Sequence, residues 1–171
     1  MQPGERFSGC IFKNCNFASC DLHEVTFTEC NFIQCDFSLV QFANTSFKEV
    51  CFEDSKFTGS DFTHVNPFLL RLFFSDCIMD SVLFMDLEMN DTSFVRCNLS
   101  HADFSCATCK ACLFSECNLN NARFEDSILD NSDFSTALDF VIDPMKNSIK
   151  NAIFNHQNIL GLVQGLPIKI L

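Results

Sequence analysis

Twelve cysteines and four histidines are the residues of widest chemical range in this 171-residue chain. Cysteine at regular spacing can build a disulfide framework, ligate a soft metal or act as a nucleophile. Nine of the cysteines, Cys10, Cys15, Cys20, Cys30, Cys35, Cys77, Cys97, Cys112 and Cys117, fall on a five-residue grid within two blocks. His23, His64, His101 and His156 do not flank them at ligand spacing, so no metal and no cofactor is expected. Glycine-rich phosphate loops, a Ser/His/Asp order with a nucleophile turn, and an HExxH helix motif are missing, and the chain does not read as an enzyme.

The grid itself is the larger signal. Phe7, Phe12, Phe17, Leu22, Phe27, Phe32, Phe37, Phe42, Phe47, Phe52, Phe57 and Phe62 recur every fifth residue. A second run, two residues out of phase, holds Phe74, Met79, Phe84, Met89, Phe94, Leu99, Phe104, Cys109, Phe114, Leu119, Phe124, Leu129 and Phe134. A period of five steps around an α-helix by 140° and alternates across a flat strand, so neither buries these side chains together. A short fixed period points instead to a solenoid whose coils stack on one shared interior.

Around each large apolar centre the pattern is constant. The residue two before it is compact, as at Cys30, Val40, Ser60 and Ala102, and the residue just before it is often Asp or Asn, as at Asn16, Asp36, Asn98 and Asp133. Short Asp and Asn side chains bond nearby backbone N–H groups, which suits a chain that corners every five residues. The 22 Phe, with no Trp or Tyr, fit large inward slots without a partner for a buried N–H or O–H.

Units such as Cys20-Asp21-Leu22, Ser60-Asp61-Phe62, Ala102-Asp103-Phe104 and Cys117-Asn118-Leu119 resemble the pentapeptide-repeat family over residues 5 to 136. The resemblance implies an all-β solenoid, a right-handed quadrilateral β-helix with four units per coil. The expected division is a repeat domain over residues 1–136 and a capping and dimerisation segment over 137–171. Within the repeat domain, the stretch 64–71 carries two residues more than two units, which predicts a small bulge at Asn66-Pro67 with Leu69 filling the missing inward slot.

Units 20 residues apart stack, placing Cys10 over Cys30, Cys15 over Cys35, and Cys77, Cys97 and Cys117 in one column. Parallel Cβ vectors suit a disulfide poorly, and consecutive units turn cysteines close in sequence onto different faces. The start MQPGERFSGC holds no apolar signal segment. Reduced, buried thiols in a cytoplasmic protein are therefore expected, with no membrane span because no run of 18 apolar residues occurs.

After Phe134 the units break at Ile142-Asp143-Pro144, and Asn151-Ala152-Ile153-Phe154 reads as one last unit. Ile159, Leu160, Val163 and Leu166 recur at helical spacing, Gly165 and Pro167 can stop that helix, and Ile168-Lys169-Ile170 reads as a short strand. This end resembles that of the Qnr-type quinolone-resistance members of the family, where an equivalent end pairs two molecules. The resemblance implies a homodimer through Phe154, Ile159, Leu160, Val163, Leu166, Ile168 and Ile170.

Residues 5–136 carry 20 acids against 8 bases. Counting units in fours gathers Asp21, Glu24, Asp61, Asp86, Asp103, Glu125 and Asp126 on one face, with Arg123 as its single base, and leaves the face of Asp36, Asp80 and Lys56 nearly neutral. An acidic strip repels nucleic acid and suits a basic groove made for a duplex, so no direct nucleic-acid binding is expected. Qnr-type relatives are understood as mimics of double-stranded DNA that engage DNA gyrase or topoisomerase IV and modulate quinolone susceptibility. That role, and an interaction scaffold whose charge serves only solubility, are the two functions the sequence leaves open.

Overall fold

The computed structural model describes residues 3–18, 20–164, 166, 168 and 169. Among these residues nine short strands, β1 (Arg6–Ser8), β2 (Ile11–Lys13), β3 (Thr26–Thr28), β4 (Asn31–Ile33), β5 (Ser46–Lys48), β6 (Val50–Glu53), β7 (Leu72–Ser75), β8 (Ser93–Val95) and β9 (Leu113–Ser115), pair in parallel. One sheet runs β1-β3-β5 and the other β2-β4-β6-β7-β8-β9. Isolated parallel bridges continue both and build two further faces, giving a four-faced solenoid.

The first face stacks Phe7, Phe27 and Phe47 and runs on through the bridges Ser46↔Asn66, Glu88↔Thr108, Thr108↔Ile128 and Ile128↔Ser148. The second stacks Phe12, Phe32, Phe52, Phe74, Phe94, Phe114, Phe134 and Phe154. The third follows Asn16↔Asp36↔Lys56↔Ile78↔Asn98↔Asn118↔Leu138, and the fourth follows Gln41↔Asp61↔Leu83↔Asp103↔Arg123. Most rings within a column lie nearly parallel, as for Phe94 and Phe114 at 5.2 Å and 14°, and most rings of adjacent faces meet edge to face, as for Phe94 and Phe104 at 86°, while Phe62 is tilted by 38° and 33° from its column neighbours Phe42 and Phe84. Both arrangements suit the aromatic quadrupole.

The corners explain the rest of the unit. Asn16, Asp21, Asp36, Asp61, Asn66, Asn98, Asp103, Asn118 and Asp133 each accept, on Oδ1, the backbone N–H two residues on. The residue two after the centre is left-handed at nearly every described corner, His64 and Thr136 excepted, and this includes bulky Leu39 (φ 61°) and Arg96 (φ 50°). A lone non-glycine residue there costs about 1–2 kcal/mol, which the continuous burial of the neighbouring slots offsets. The compact position is polar for a reason too. Thr45 and Ser60 donate their hydroxyls to the carbonyls of Leu22 and Phe37, centres of the preceding coil, at 2.8 and 2.7 Å.

Three expectations need correction. The stretch after Asn66 does contain two extra residues, since Phe52, Phe57 and Phe62 pair 22 rather than 20 residues ahead. However, Leu69 is left-handed and 63% exposed, while Val65, Leu70 and Leu72 are buried in that coil. Leu69 occupies the corner position, where a side chain points outward. Next, repeat pairing does not lapse between Phe134 and the last unit at Asn151-Ala152-Ile153-Phe154: the bridges Asn118↔Leu138, Ile128↔Ser148 and Asp133↔Ile153 carry the solenoid register through Ile153. Phe140 and Ile142 are buried in this last coil.

Lastly, the terminal helix is a single 3-10 turn, Ile159–Leu162. Asn158, which precedes it, makes no side-chain cap to that turn. Its Nδ2 instead donates to the carbonyls of Phe134 and Ala137 at 2.8 and 3.1 Å, closing the rod rather than lengthening a helix. Ile168 and Lys169 are not in a strand, and Gly165, Pro167, Ile170 and Leu171 lie outside the described residues.

Candidate functional site

The fourth face presents three outward positions per coil: before the centre, one after it, and the corner. The residues before the centre form the column Asp21, Gln41, Asp61, Leu83, Asp103 and Arg123. The corner residues form a second column, Glu24, Asn44, His64, Asp86, Cys106 and Asp126. Backbone bonds from Glu24 to Ala43, Asp86 to Ser105 and Cys106 to Glu125 hold this register. All seven acids expected on one face therefore share it, but Asp61, Asp86 and Asp103 do not stack in a single column. Asp61 and Asp103 are separated by Leu83, and Asp86 stands in the corner column.

The charges are not equally available. Arg123 approaches Asp103 at 3.7 Å, and His23 approaches Glu24 at 3.4 Å. Lys146, from the last coil, reaches Glu125 at 2.8 Å, a second base on this face that unit counting did not place there. Its hydrogen bond holds the Glu125 carboxyl below the usual range. Among the described residues Asp21, Asp61, Asp86 and Asp126 form no ion pair, so the unneutralised charge lies toward the middle and start of the rod with Asp126 at its far end.

Cys106 registers this field. It is exposed, between Asp86 and Asp126 in the corner column, and desolvation followed by the carboxylates of Asp86, Asp126 and Asp103 pushes its thiol up. Removing one charge as Asp86→Asn is expected to lower that pKa and speed alkylation of Cys106 a few-fold at pH 8. An unchanged rate, followed by mass spectrometry, would show that the two side chains do not interact.

The interior thiols behave differently. All twelve cysteines are free, and Cys30, Cys35, Cys77, Cys97, Cys109, Cys112 and Cys117 are buried, whereas Cys51 and Cys106 are exposed. Hydrogen bonding to Cys97 and burial push the Cys77 and Cys117 thiols up, which favours inert neutral groups. One pair breaks the expectation that cysteines close in sequence are turned apart. Cys109 and Cys112, three residues apart, are both buried, and hydrogen bonding to Cys112 together with burial pushes the Cys109 thiol up. The signal was present as Cys109-Lys110-Ala111-Cys112, a Cys-x-x-Cys spacing.

At the end of the rod, Ile159, Leu160 and Ile168 are exposed, and Val163 and Leu166 are half-buried. Phe154 is turned inward, its ring stacked on Phe134 at 5.5 Å, so it closes the core column instead of standing free at a surface.

A model described as a pentapeptide repeat region matches residues 5–67, and one described as pentapeptide repeats matches residues 84–119 and 107–137. Together they span more than half of the chain. The chain belongs to the pentapeptide-repeat family. Within that family it is similar in fold to QnrB1, described as a plasmid-mediated fluoroquinolone resistance protein. A trypsin-treated QnrB1 superposes with a TM-score of 0.62 at 17% identity, covering 99% of this chain and 91% of that one. Full-length QnrB1 gives 0.59 at 16% identity, covering 97% and 92%. A pentapeptide repeat protein from the Arabidopsis thaliana thylakoid lumen gives 0.34 at 16% identity, covering 75% and 64%. No curated protein matches the sequence. No helix among the described residues is long and apolar enough to cross a membrane.

Proposed function

We propose that the fourth face occupies the duplex-binding groove of a type II topoisomerase, DNA gyrase or topoisomerase IV, in place of DNA, and so modulates quinolone susceptibility from the cytoplasm. The observation that supports this reading best is the clustering of Asp21, Asp61, Asp86 and Asp126, without ion pairs among the described residues, on one side of a narrow rigid rod. A basic groove shaped for two phosphate strands attracts such a surface at long range. The likeness to QnrB1 supports the rod that presents it. Two copies join through the exposed apolar end around Ile159, Leu160 and Ile168, in keeping with the sequence expectation for that segment.

A second reading, a scaffold that binds no topoisomerase, is favoured by one specific observation. Asp36 and Asp133 on other faces make the same turn as Asp21, Asp61 and Asp103, so these aspartates have structural work whether or not they imitate phosphates.

Asparagine separates the two readings, because it keeps the Oδ1 acceptor of the turn and removes the charge. The triple variant Asp61→Asn, Asp86→Asn, Asp103→Asn is expected to fold as wild type yet bind gyrase more weakly and protect it less in a supercoiling assay with a quinolone. The variant Asp36→Asn, Asp80→Asn on the third face is expected to change little. Binding of the wild type should weaken as the screening length falls from about 10 Å at 0.1 M salt to about 3 Å at 1 M. A triple variant that competes with DNA as well as wild type, or a wild type that never competes, replaces the mimic with the scaffold.

A further inference from the structure

The bulge after Asn66 sets two large apolar side chains side by side in solvent, Phe68 at 65% and Leu69 at 63% exposed. It also costs the rod a bond. At Thr45, Ser60 and Ser132 a compact-position hydroxyl donates to the carbonyl 23 residues earlier, at 2.8, 2.7 and 2.5 Å. Counted the same way, the acceptor for Thr92 falls at Leu69, which the insertion turns outward, and the buried Thr92 hydroxyl has no hydrogen-bond partner among the described residues. Below the bulge the ladder shifts as well. Glu29 at its corner donates its N–H to the Lys48 carbonyl at 2.8 Å, but one coil on it is Val50, past the corner, that donates to Arg71, at 3.1 Å. The displaced chain leaves a concavity of about 450 Å3 lined by Lys48, Glu49, Leu69, Leu70 and Arg71 among others. Arg71 approaches Glu49 at 3.7 Å. Lys48 makes no ion pair among the described residues, and its ammonium lies over the Phe68 ring, 5.4 Å from the centroid.

We propose that the bulge docks a peptide segment of a protein partner in which a large apolar side chain neighbours an Asp or Glu. The apolar side chain enters the concavity against Leu69 and Leu70, and the carboxylate meets the Lys48 ammonium, which the Phe68 ring holds in position. Charge complementarity selects this occupant. In a chain of 22 acids and 11 bases, an ammonium without a carboxylate beside two exposed apolar groups is matched by one acid and one apolar group. Glu29 and Glu49 also line the concavity, so they repel a polyanion such as nucleic acid or an anionic lipid surface while leaving room for a single carboxylate. A small apolar contact ringed by charge is the usual form of a strong point in an interface. The site stands on the edge between the first and second faces, away from the acids of the fourth, and does not depend on the topoisomerase reading.

The test selects a displayed library of random dodecapeptides on the full chain and measures the recovered peptides, labelled with a fluorophore, by anisotropy. They are expected to share a large apolar residue beside Asp or Glu. Phe68→Ser, Leu69→Asn and Lys48→Gln should each weaken binding roughly tenfold, whereas Asp61→Asn on the fourth face keeps wild-type affinity. Asn tolerates the left-handed corner at 69, so Leu69→Asn should melt no lower than wild type. Lys48→Gln removes the charge alone and keeps the test open if an apolar variant fails to fold. Changing the acid of the peptide to its amide should weaken binding to wild type but not to Lys48→Gln, which shows that the two groups meet. Recovered peptides without the acidic-apolar pair, or peptides that bind Phe68→Ser and Lys48→Gln as tightly as wild type, would overturn the assignment. Vesicles of phosphatidylcholine and phosphatidylserine that bind wild type but not Phe68→Ser would also overturn it, in favour of a membrane surface.

Discussion

Phe94→Ala is expected to destabilise the rod by about 3–5 kcal/mol, the range for emptying a large aromatic slot in a core. Phe94 is fully buried. Its ring stacks between Phe74 and Phe114, at 5.2 Å from each, and meets Phe84 and Phe104 edge to face at 5.9 and 6.1 Å. Neighbouring coils are tied by backbone ladders on every face, so they cannot slide together to fill the gap, which places the loss toward the upper end. Denaturant unfolding read by β-rich circular dichroism measures it. As a reference, Cys51→Ser, exposed on the same face, should stay within about 0.5 kcal/mol of wild type. A Phe94→Ala protein with wild-type stability would mean that the stacked column does not carry the fold.

The same column shows why the solenoid was legible in the sequence. Each unit repeats one local solution, a large centre, a compact inward neighbour, an Asx turn and a left-handed corner, so periodicity alone assigns the inward and outward positions. The interior thiols and the membership of the acidic face followed from counting in fours. What escaped counting was set where the repeat is interrupted or where distant segments meet. Leu69 was expected inside because an apolar residue near a vacant slot suggests filling it, but the two extra residues set Leu69 at a left-handed corner. Lys146 reaches Glu125 across 21 residues, from a segment whose register the break at Pro144 hides. Ile159, Leu160, Val163 and Leu166 looked helical by spacing, yet carbonyls at the end of the rod take the Asn158 amide and only a single 3-10 turn follows. Position along the rod, unlike position within a unit, is not written in the period.

The end of the rod carries the second large effect, because Gly161 is packed where no side chain fits. A Cβ built there would lie 2.4 Å from the Phe140 carbonyl oxygen and 2.5 and 2.6 Å from two Phe140 ring carbons. The ring can swing, but the carbonyl belongs to the last coil and cannot give way without breaking it. Gly161 also accepts the backbone N–H of buried Ile142 at 3.0 Å, a direct backbone link between the 3-10 turn and the last coil. Gly161→Ala is therefore expected to cost about 1–3 kcal/mol by overpacking, and to lift the turn off Phe140 and Ile142 rather than unfold the whole rod. Limited proteolysis should then cut near residues 155–164 while the earlier coils stay protected, and apolar surface newly bared on Phe140 should bind a hydrophobic dye. The proposed pairing of two copies depends on that turn holding Ile159 and Leu160 in place, so the variant should also sediment as a monomer where wild type sediments as a dimer. A Gly161→Ala protein that keeps wild-type melting and protease resistance would show that the turn is not seated on the last coil, whereas one that loses its seating yet still dimerises would move the interface elsewhere on the rod.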